Sequence, residues 1–263
     1  MKKVMFIGYG SMARKVHQML PETVVLSTII ASSRSADRIR AELGDDVKVI
    51  TSVNELSNMP DLAVEMAGQS GLEAHAIGVL ERGITLGIVS VGAFTDDKFA
   101  CLLHDTAQKN GVKIHILAGA VAGIDGINAA SLAGLNEVTY QGRKKPESWK
   151  GSHADELIDY DNLEQAEVFF TGSARQAATL FPANSNVAAT IALAGVGLDD
   201  TKVELIVDPT LEHNTHHIVA KGVFGQLEIS MIGLPLAENP KTSSLAAFSA
   251  LRLCCQLDQV YQM

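Results

Sequence analysis

The chain of 263 residues is poor in cysteine, short of basic side chains and without a long apolar run. Its three cysteines, Cys101, Cys254 and Cys255, are an odd number, and the adjacent pair is badly placed to bond to itself. That excludes a disulfide framework and fits a reducing compartment. With no CxxC spacing and no cationic cluster beside them, all three are expected to be small buried hydrophobes. Only 21 Lys and Arg stand against 30 Asp and Glu, a net charge of -9. The deficit argues against a counterion-releasing grip on nucleic acid, which needs clustered cations. No segment has the apolar length that crosses a bilayer, and Met1-Lys2-Lys3 leads straight into Val4-Met5-Phe6-Ile7, too short an opening for a signal peptide. Neither membrane nor nucleic acid is an expected partner, and the expected location is the cytoplasm.

The composition, 47% hydrophobic and 19% charged, is that of a globular chain long enough for two modest cores. Up to residue 118, β-branched runs alternate with amphipathic stretches, the pattern of βαβ units feeding a parallel sheet. Strands are predicted at Val4–Ile7, Val24–Ile30, Val47–Ile50, Leu62–Met66, Ile84–Val91 and Lys113–Leu117. Helices are predicted at Met12–Met19, Ala36–Leu43, Gly71–Arg82 and Asp96–Asn110 from their apolar periodicity. Residues 119–242 form a second region, in which a Gly- and Ala-rich loop runs into a helix. A strand around Val138–Gln141 follows, then a basic loop, Arg143-Lys144-Lys145-Pro146, expected to be exposed. Val203–Val207, Ile218–Lys221 and Gln226–Ile232 read as strands of a mixed or antiparallel sheet, because helix-length crossovers are missing between the last two. The fold class is therefore α/β: an N-terminal doubly wound parallel sheet (residues 1–118), a second α+β domain (119–242), and a C-terminal helix (243–263) packing back on the first domain or on a partner.

Gly8-Tyr9-Gly10-Ser11-Met12-Ala13 follows the first strand and opens the first helix, matching the G-x-G-x-x-G/A fingerprint of a Rossmann dinucleotide site. Gly8 permits the tight turn, Gly10 lets the backbone approach a pyrophosphate, and Ala13 allows the helix to lie close to the strand. The N–H groups at the helix start, around Ser11 and Met12, face the diphosphate with the positive end of the helix dipole. The residue after the second strand that usually binds the ribose 2′-hydroxyl of NAD is acidic. Here Ser32-Ser33-Arg34 supplies hydroxyls and a cation instead, so Arg34 is a candidate for a 2′-phosphate and the cofactor is NAD or NADP.

Longer motifs, in fixed order across both halves, carry a resemblance. They are Ser90-Val91-Gly92-Ala93, Ile116 to Asp125, Gly142-Arg143-Lys144-Lys145-Pro146, Phe170 to Ala174, Phe181 to Thr190, and Asp208-Pro209 leading to Asn214-Thr215-His216. In these the chain resembles the L-aspartate dehydrogenase family, essentially end to end. The resemblance implies a homodimeric oxidoreductase that converts L-aspartate to iminoaspartate with NAD or NADP, a product that feeds nicotinamide cofactor synthesis in many bacteria. By position in the matching motifs it implies cofactor contacts at Ala120 and Asn186 and a catalytic role for His216.

The residues support a histidine on chemical grounds. Hydride leaves the α-carbon of an amino acid only if the nitrogen lone pair is free to form the imine, so a group that handles protons near neutral pH must stand close to the amine. His213, His216 and His217 cluster just before the strand at Ile218. His216 is the candidate and His217 its rival. The role is either base or positioner of the water that attacks the imine. A His-x-x-His pair without a third ligand does not make a zinc site, so no metal is expected. Arg143, Lys144, Lys145 and Lys221 are candidate anion binders on composition alone, and Asn184 and Asn186 stand beside a helix start. Two other readings remain: a related two-domain oxidoreductase resembling dihydrodipicolinate reductase or homoserine dehydrogenase, or a non-catalytic NAD(P)-binding regulator.

Overall fold

The computed structural model describes residues 1–182 and 186–261, with the side chain of residue 241 left aside. The described residues fall into two compact units, each considered by itself. One runs from Met1 to Gly119 and resumes at Ala246; the other is Ala120–Leu245.

The first unit contains, in chain order, β1 (Lys2–Ile7), α1 (Ser11–Gln18), β2 (Val24–Ile30), α2 (Ser33–Leu43), β3 (Lys48–Ile50), β4 (Leu62–Glu65), α3 (Gln69–Glu81), β5 (Leu86–Ile88), α4 (Asp97–Lys109) and β6 (Ile114–Ile116). The sheet order is β3-β2-β1-β4-β5-β6, and every pairing is parallel. Central β1 shows why its sequence is an unbroken apolar run: Val4, Met5, Phe6 and Ile7 are all wholly buried, as a parallel strand covered on both faces requires. Helix α1 lies close because the residue facing the sheet is small: Ala13 is wholly buried, and Val16 nearly so. The strand order reverses between β1 and β4, which opens a crevice at the carboxyl ends of the strands, the usual ligand position in such sheets.

The second unit holds α5 (Ile124–Ala133), β7 (Leu135–Lys144), β8 (Glu167–Ser173), α6 (Ala174–Leu180), α7 (Asn186–Ala194), β9 (Lys202–Val207), β10 (Asn214–Gly222), β11 (Gly225–Gly233) and a small hairpin of β12 (Pro235–Leu236) with β13 (Asn239–Ser243). Its sheet runs β11-β10-β7-β9-β8 and is mixed, with β7 and β9 parallel and the other neighbours antiparallel. Strict alternation puts Val138, Tyr140 and Gly142 of β7, and His216, Ile218 and Ala220 of β10, on the buried face. Beyond β7, Trp149 is wholly buried, meets Phe169 edge-on at 4.8 Å between ring centroids, and donates its indole N–H to Ile206 O at 3.2 Å. The last helix, α8 (Ser244–Cys255), belongs to the first unit from Ala246 on, where Leu253 fills the space over Gly87 of β5 that a side chain would take.

Three expectations are corrected. Cys101 is exposed on α4 and Cys255 only half-buried, whereas Cys254 is buried as expected, with its thiol pushed up to about 12 by burial. Arg143 and Lys144 are not loop residues: β7 continues through both, because six consecutive pairings with β9 extend to Lys144 and hold the backbone extended. His216 does not stand at a loop-to-strand junction but inside β10, paired with Gly142 on one side and Met231 on the other. The strand starts early because Asn214 and Thr215 already have ladder partners, Gly233 and Ile232, on β11.

Candidate active site

In the first unit the site begins with the turn after β1. Gly8 has φ +87°, in the region that favours glycine, and a Cβ there would lie 2.8 Å from the Ala67 side chain. Gly10 is the opposite case: a Cβ on it would meet no heavy atom within 4 Å, so open space stands before its Cα. Gly10 is also the N-cap of α1 and, as glycine, offers the first-turn N–H groups no capping side chain. Backbone donors of the first turn, around Ser11 and Met12, thus face a cradle with room for an anion, and the residues fit a dinucleotide pyrophosphate. Arg34 and Ser33 are exposed on the first turn of α2, at the carboxyl end of β2, and Ser32 Oγ lies 2.9 Å from Ser35 Oγ. Substituting valine for Gly10 is expected to leave folding stability unchanged, because the space is empty, while weakening NADH binding at least tenfold. A fluorescence titration of the variant checks this, and unchanged affinity would remove the cradle from the site.

Beside that turn lies a group that sequence reasoning missed. Glu65, the last residue of β4, is wholly buried, and its carboxylate collects four donors. They are Ala67 N at 2.7 Å, Ser90 N at 3.0 Å, Ser90 Oγ at 2.8 Å and Val89 N at 3.3 Å. Burial pushes its carboxyl above the usual range, against the downward pull of these hydrogen bonds. Glu65 therefore ties the loop that walls Gly8 to the start of the Ser90-Val91-Gly92-Ala93 segment.

In the second unit, His216 is 5% exposed and its Nδ1 lies 2.9 Å from Tyr140 Oη, the two rings nearly stacked at 20°. The register explains the reach. Tyr140 is opposite Ile218, one step along the buried face, so its ring must pass Gly142 to meet His216. A Cβ on Gly142 would sit 2.6 Å from that hydroxyl. Burial drives the His216 pKa down to about 4, with the Lys144 ammonium the second cause, so the imidazole is neutral at physiological pH. Burial lowers Lys144 itself to about 8, and its Nζ lies 5.0 Å over the Trp149 ring. A cavity of about 80 Å³ adjoins His216, bounded by Lys145, Ser148, Glu212, His213 and Ser243 among others.

The remaining sequence candidates separate by their partners. Arg143 Nη1 contacts buried Asp208 at 3.4 Å, and Lys221 pairs with Glu137 at 3.8 Å, which gives both structural employment. His217 points to the other side of the strand, where its Nδ1 lies 2.9 Å from Ser230 Oγ and its Nε2 3.7 Å from Glu228. Ala120 begins the second unit, and Asn186 is the first residue of α7, its carbonyl accepting from Thr190 Oγ1 at 2.8 Å. Asn184 lies outside the described residues. Tyr140, Gly142 and Ser243 escaped the sequence reading; the one available signal was the i, i+2 placement of a tyrosine and a glycine on a buried strand face.

A parallel sheet in the order 3-2-1-4-5-6 that opens on a glycine cradle, together with a second α+β unit that holds a neutral buried histidine, defines an NAD(P)-dependent two-domain oxidoreductase. Residues 8–117 match the family model of the homoserine dehydrogenase NAD binding domain, and residues 125–257 match that of aspartate dehydrogenase, C-terminal. The chain is 74% identical over its full length, and that of its relative, to an L-aspartate dehydrogenase of Psychrobacter cryohalolentis. It is 51% identical to an L-aspartate dehydrogenase of Acinetobacter baumannii, with 97% of each chain covered. The crystal structure of aspartate dehydrogenase from Thermotoga maritima superposes with a TM-score of 0.78 over 100% of this chain and 99% of that one, at 24% identity, which speaks to the fold. A hyperthermophilic archaeal homoserine dehydrogenase in complex with NADPH shares the fold at a TM-score of 0.60 and 10% identity, covering 97% of both chains. The chain belongs to the aspartate dehydrogenase family. The dinucleotide half is of a kind shared with homoserine dehydrogenases, so the second half carries the distinction.

Proposed function

We propose that the chain oxidises L-aspartate to iminoaspartate, which water then hydrolyses to oxaloacetate and ammonia, and that it works as a cytoplasmic homodimer whose imine product also serves nicotinamide cofactor synthesis. The observation that carries the assignment of roles is the neutral His216 imidazole, held at Nδ1 by Tyr140 and bordering a polar cavity. Bound NAD(P)⁺ supplies the hydride acceptor, at the glycine cradle of β1 and α1, with Gly8, Gly10, Ser11, Met12 and Ala13 around the pyrophosphate. Arg34, Ala120 and Asn186 complete the set of cofactor contacts in this reading.

The substrate arrives with a protonated amine. Its lone pair must be released before a C=N bond can form as the Cα–H bond breaks. This step requires the tautomer in which Nδ1–H donates to Tyr140 Oη, which leaves the His216 lone pair on Nε2 to accept the amine proton. The low pKa, set by burial and by the nearby Lys144 ammonium, keeps that lone pair unprotonated across the neutral and alkaline range and makes the imidazole a weak base, which takes the amine proton only as the C=N bond forms. The same Nε2, once protonated, returns its proton to solvent or steadies the water that attacks the imine carbon.

Purified protein with L-aspartate and either dinucleotide is expected to generate reduced-nicotinamide absorbance, with no comparable signal from D-aspartate or L-homoserine. Silence with both dinucleotides at alkaline pH would sink the substrate assignment. Cofactor binding in the absence of turnover on any amino acid would leave a regulatory protein in its place. Sedimentation at micromolar concentration tests the dimer, which a monomer peak would exclude.

A further inference from the structure

One residue that bounds the cavity beside His216 carries a buried polar atom without a hydrogen-bond partner. Ser243 Oγ is shut off from solvent and has no hydrogen-bond partner, although it stands at the end of β13, whose neighbour Ser244 is satisfied by Leu234 O at 2.9 Å. A hydroxyl in that position is normally paired, and an unpaired one calls for an explanation such as a bound group. Ser243 bounds the same cavity as His216, with Lys145 and Ser148 contributed by the chain just after β7. The lining thus combines one orphan donor, one cation and one further hydroxyl, while Glu212, exposed at residue level, is its carboxylate. The volume, about 80 Å³, accommodates several waters or one polar arm of a small substrate.

We propose that this cavity is a carboxylate subsite, in which Ser243 Oγ donates a hydrogen bond to one carboxylate of a dicarboxylic substrate and Lys145 Nζ neutralises it, while the amine end of the same molecule reaches His216. The proposal rests on the aspartate reading and adds residues to it. A hydroxyl donor and an ammonium together favour an ionised oxygen pair over a neutral amide or methyl group, because a charge-assisted bond is about twice as strong as a neutral one. Glu212 complements this by matching the substrate's ammonium. The subsite discriminates by what an analogue leaves unpaired: a monocarboxylic amino acid leaves Ser243 Oγ without an acceptor, whereas the exposed Lys145 returns to water.

The test uses Ser243→Ala, Ser243→Thr and Lys145→Gln in the full-length protein. Steady-state kinetics are run with L-aspartate and dinucleotide, and succinate serves as a dead-end probe followed by calorimetry. Ser243→Ala is expected to raise the KM for L-aspartate and weaken succinate about tenfold or more, with the KM for dinucleotide unchanged. Its melting temperature should not fall, since the hydroxyl it removes bonds to nothing in the free protein. Ser243→Thr keeps the donor and should hold both constants near wild type, while Lys145→Gln should lose succinate affinity by a similar factor. Unaltered aspartate KM and succinate affinity in both Ser243→Ala and Lys145→Gln would overturn the subsite while leaving the aspartate reading intact. A wild-type protein that binds succinate through Ser243 but does not oxidise aspartate would do the reverse.

Discussion

Replacing His216 with alanine is expected to cut turnover on L-aspartate by about a hundredfold or more, with dinucleotide affinity unchanged. The size follows from the role: a group that takes up a proton in the transition state contributes typically two to four powers of ten. Tyr140→Phe should retain part of the rate, since the ring still packs but Nδ1 loses its partner at 2.9 Å and with it a fixed orientation. A near-normal rate in His216→Ala would transfer the role elsewhere. The same residue has a second, separable signature in stability. Its folded pKa, about 4, is below the ordinary 6.5, so between these values the unfolded chain binds a proton that the folded chain refuses. Stability therefore rises with pH through that window and is lost as pH falls from 6.5 towards 4, by about 3 kcal/mol at ~1.4 kcal/mol per unit. Urea melts of wild type and His216→Ala across that range should show a shallower acid slope in the variant. Parallel slopes would mean that the imidazole is not buried as neutral.

The periodic features were legible in the sequence because they depend on local pattern. Val24–Ile30 is a strand within the bounds its β-branched run suggests, and the glycine turn is recognisable because at Gly8 φ and close approach admit few other residues, while Gly10 follows it at the fingerprint spacing. What stayed hidden depends on pairing across long separations. The apolar run begins only at Ile218, and Asn214 and the two histidines are poor strand signals, so the early start of β10 comes from its ladder with β11. Lys144 was read as a surface cation, but its backbone is committed to β9, which draws the side chain over Trp149. The Tyr140 to His216 contact spans 76 residues and requires the gap at Gly142, a relation that no window of sequence contains. Charge alone misled in the same way: Arg143 looked equivalent to Lys144 and Lys145, whereas a buried Asp208 65 residues away claims it.

Glu65→Ala should be the most damaging single change in the first unit. In a strand of the form Leu-Ala-Val-Glu the carboxylate could pass for a solvated end, yet it is wholly buried and accepts from three backbone N–H groups and one hydroxyl. Alanine leaves those donors in an apolar interior. Each stranded donor costs about 1–3 kcal/mol, and even with partial relaxation the loss should be at least about 3 kcal/mol. Against a total of roughly 5–15 kcal/mol, that is enough to lower the urea midpoint substantially. Glutamine should not rescue fully: one of its two polar atoms is a donor, and turned toward Ser90 or Ala67 it opposes their N–H groups. The consequence for function runs through Ala67, whose N–H is anchored by Glu65 Oε1 at 2.7 Å and whose side chain walls the Gly8 turn. Where Glu65→Gln still folds, its affinity for NADH should therefore drop while the pH dependence set by His216 stays in place. Urea titration and NADH fluorescence on the two variants read these effects apart. Wild-type stability in Glu65→Ala would show that the four donors find other partners, and would detach the carboxylate from both the end of β4 and the cofactor turn.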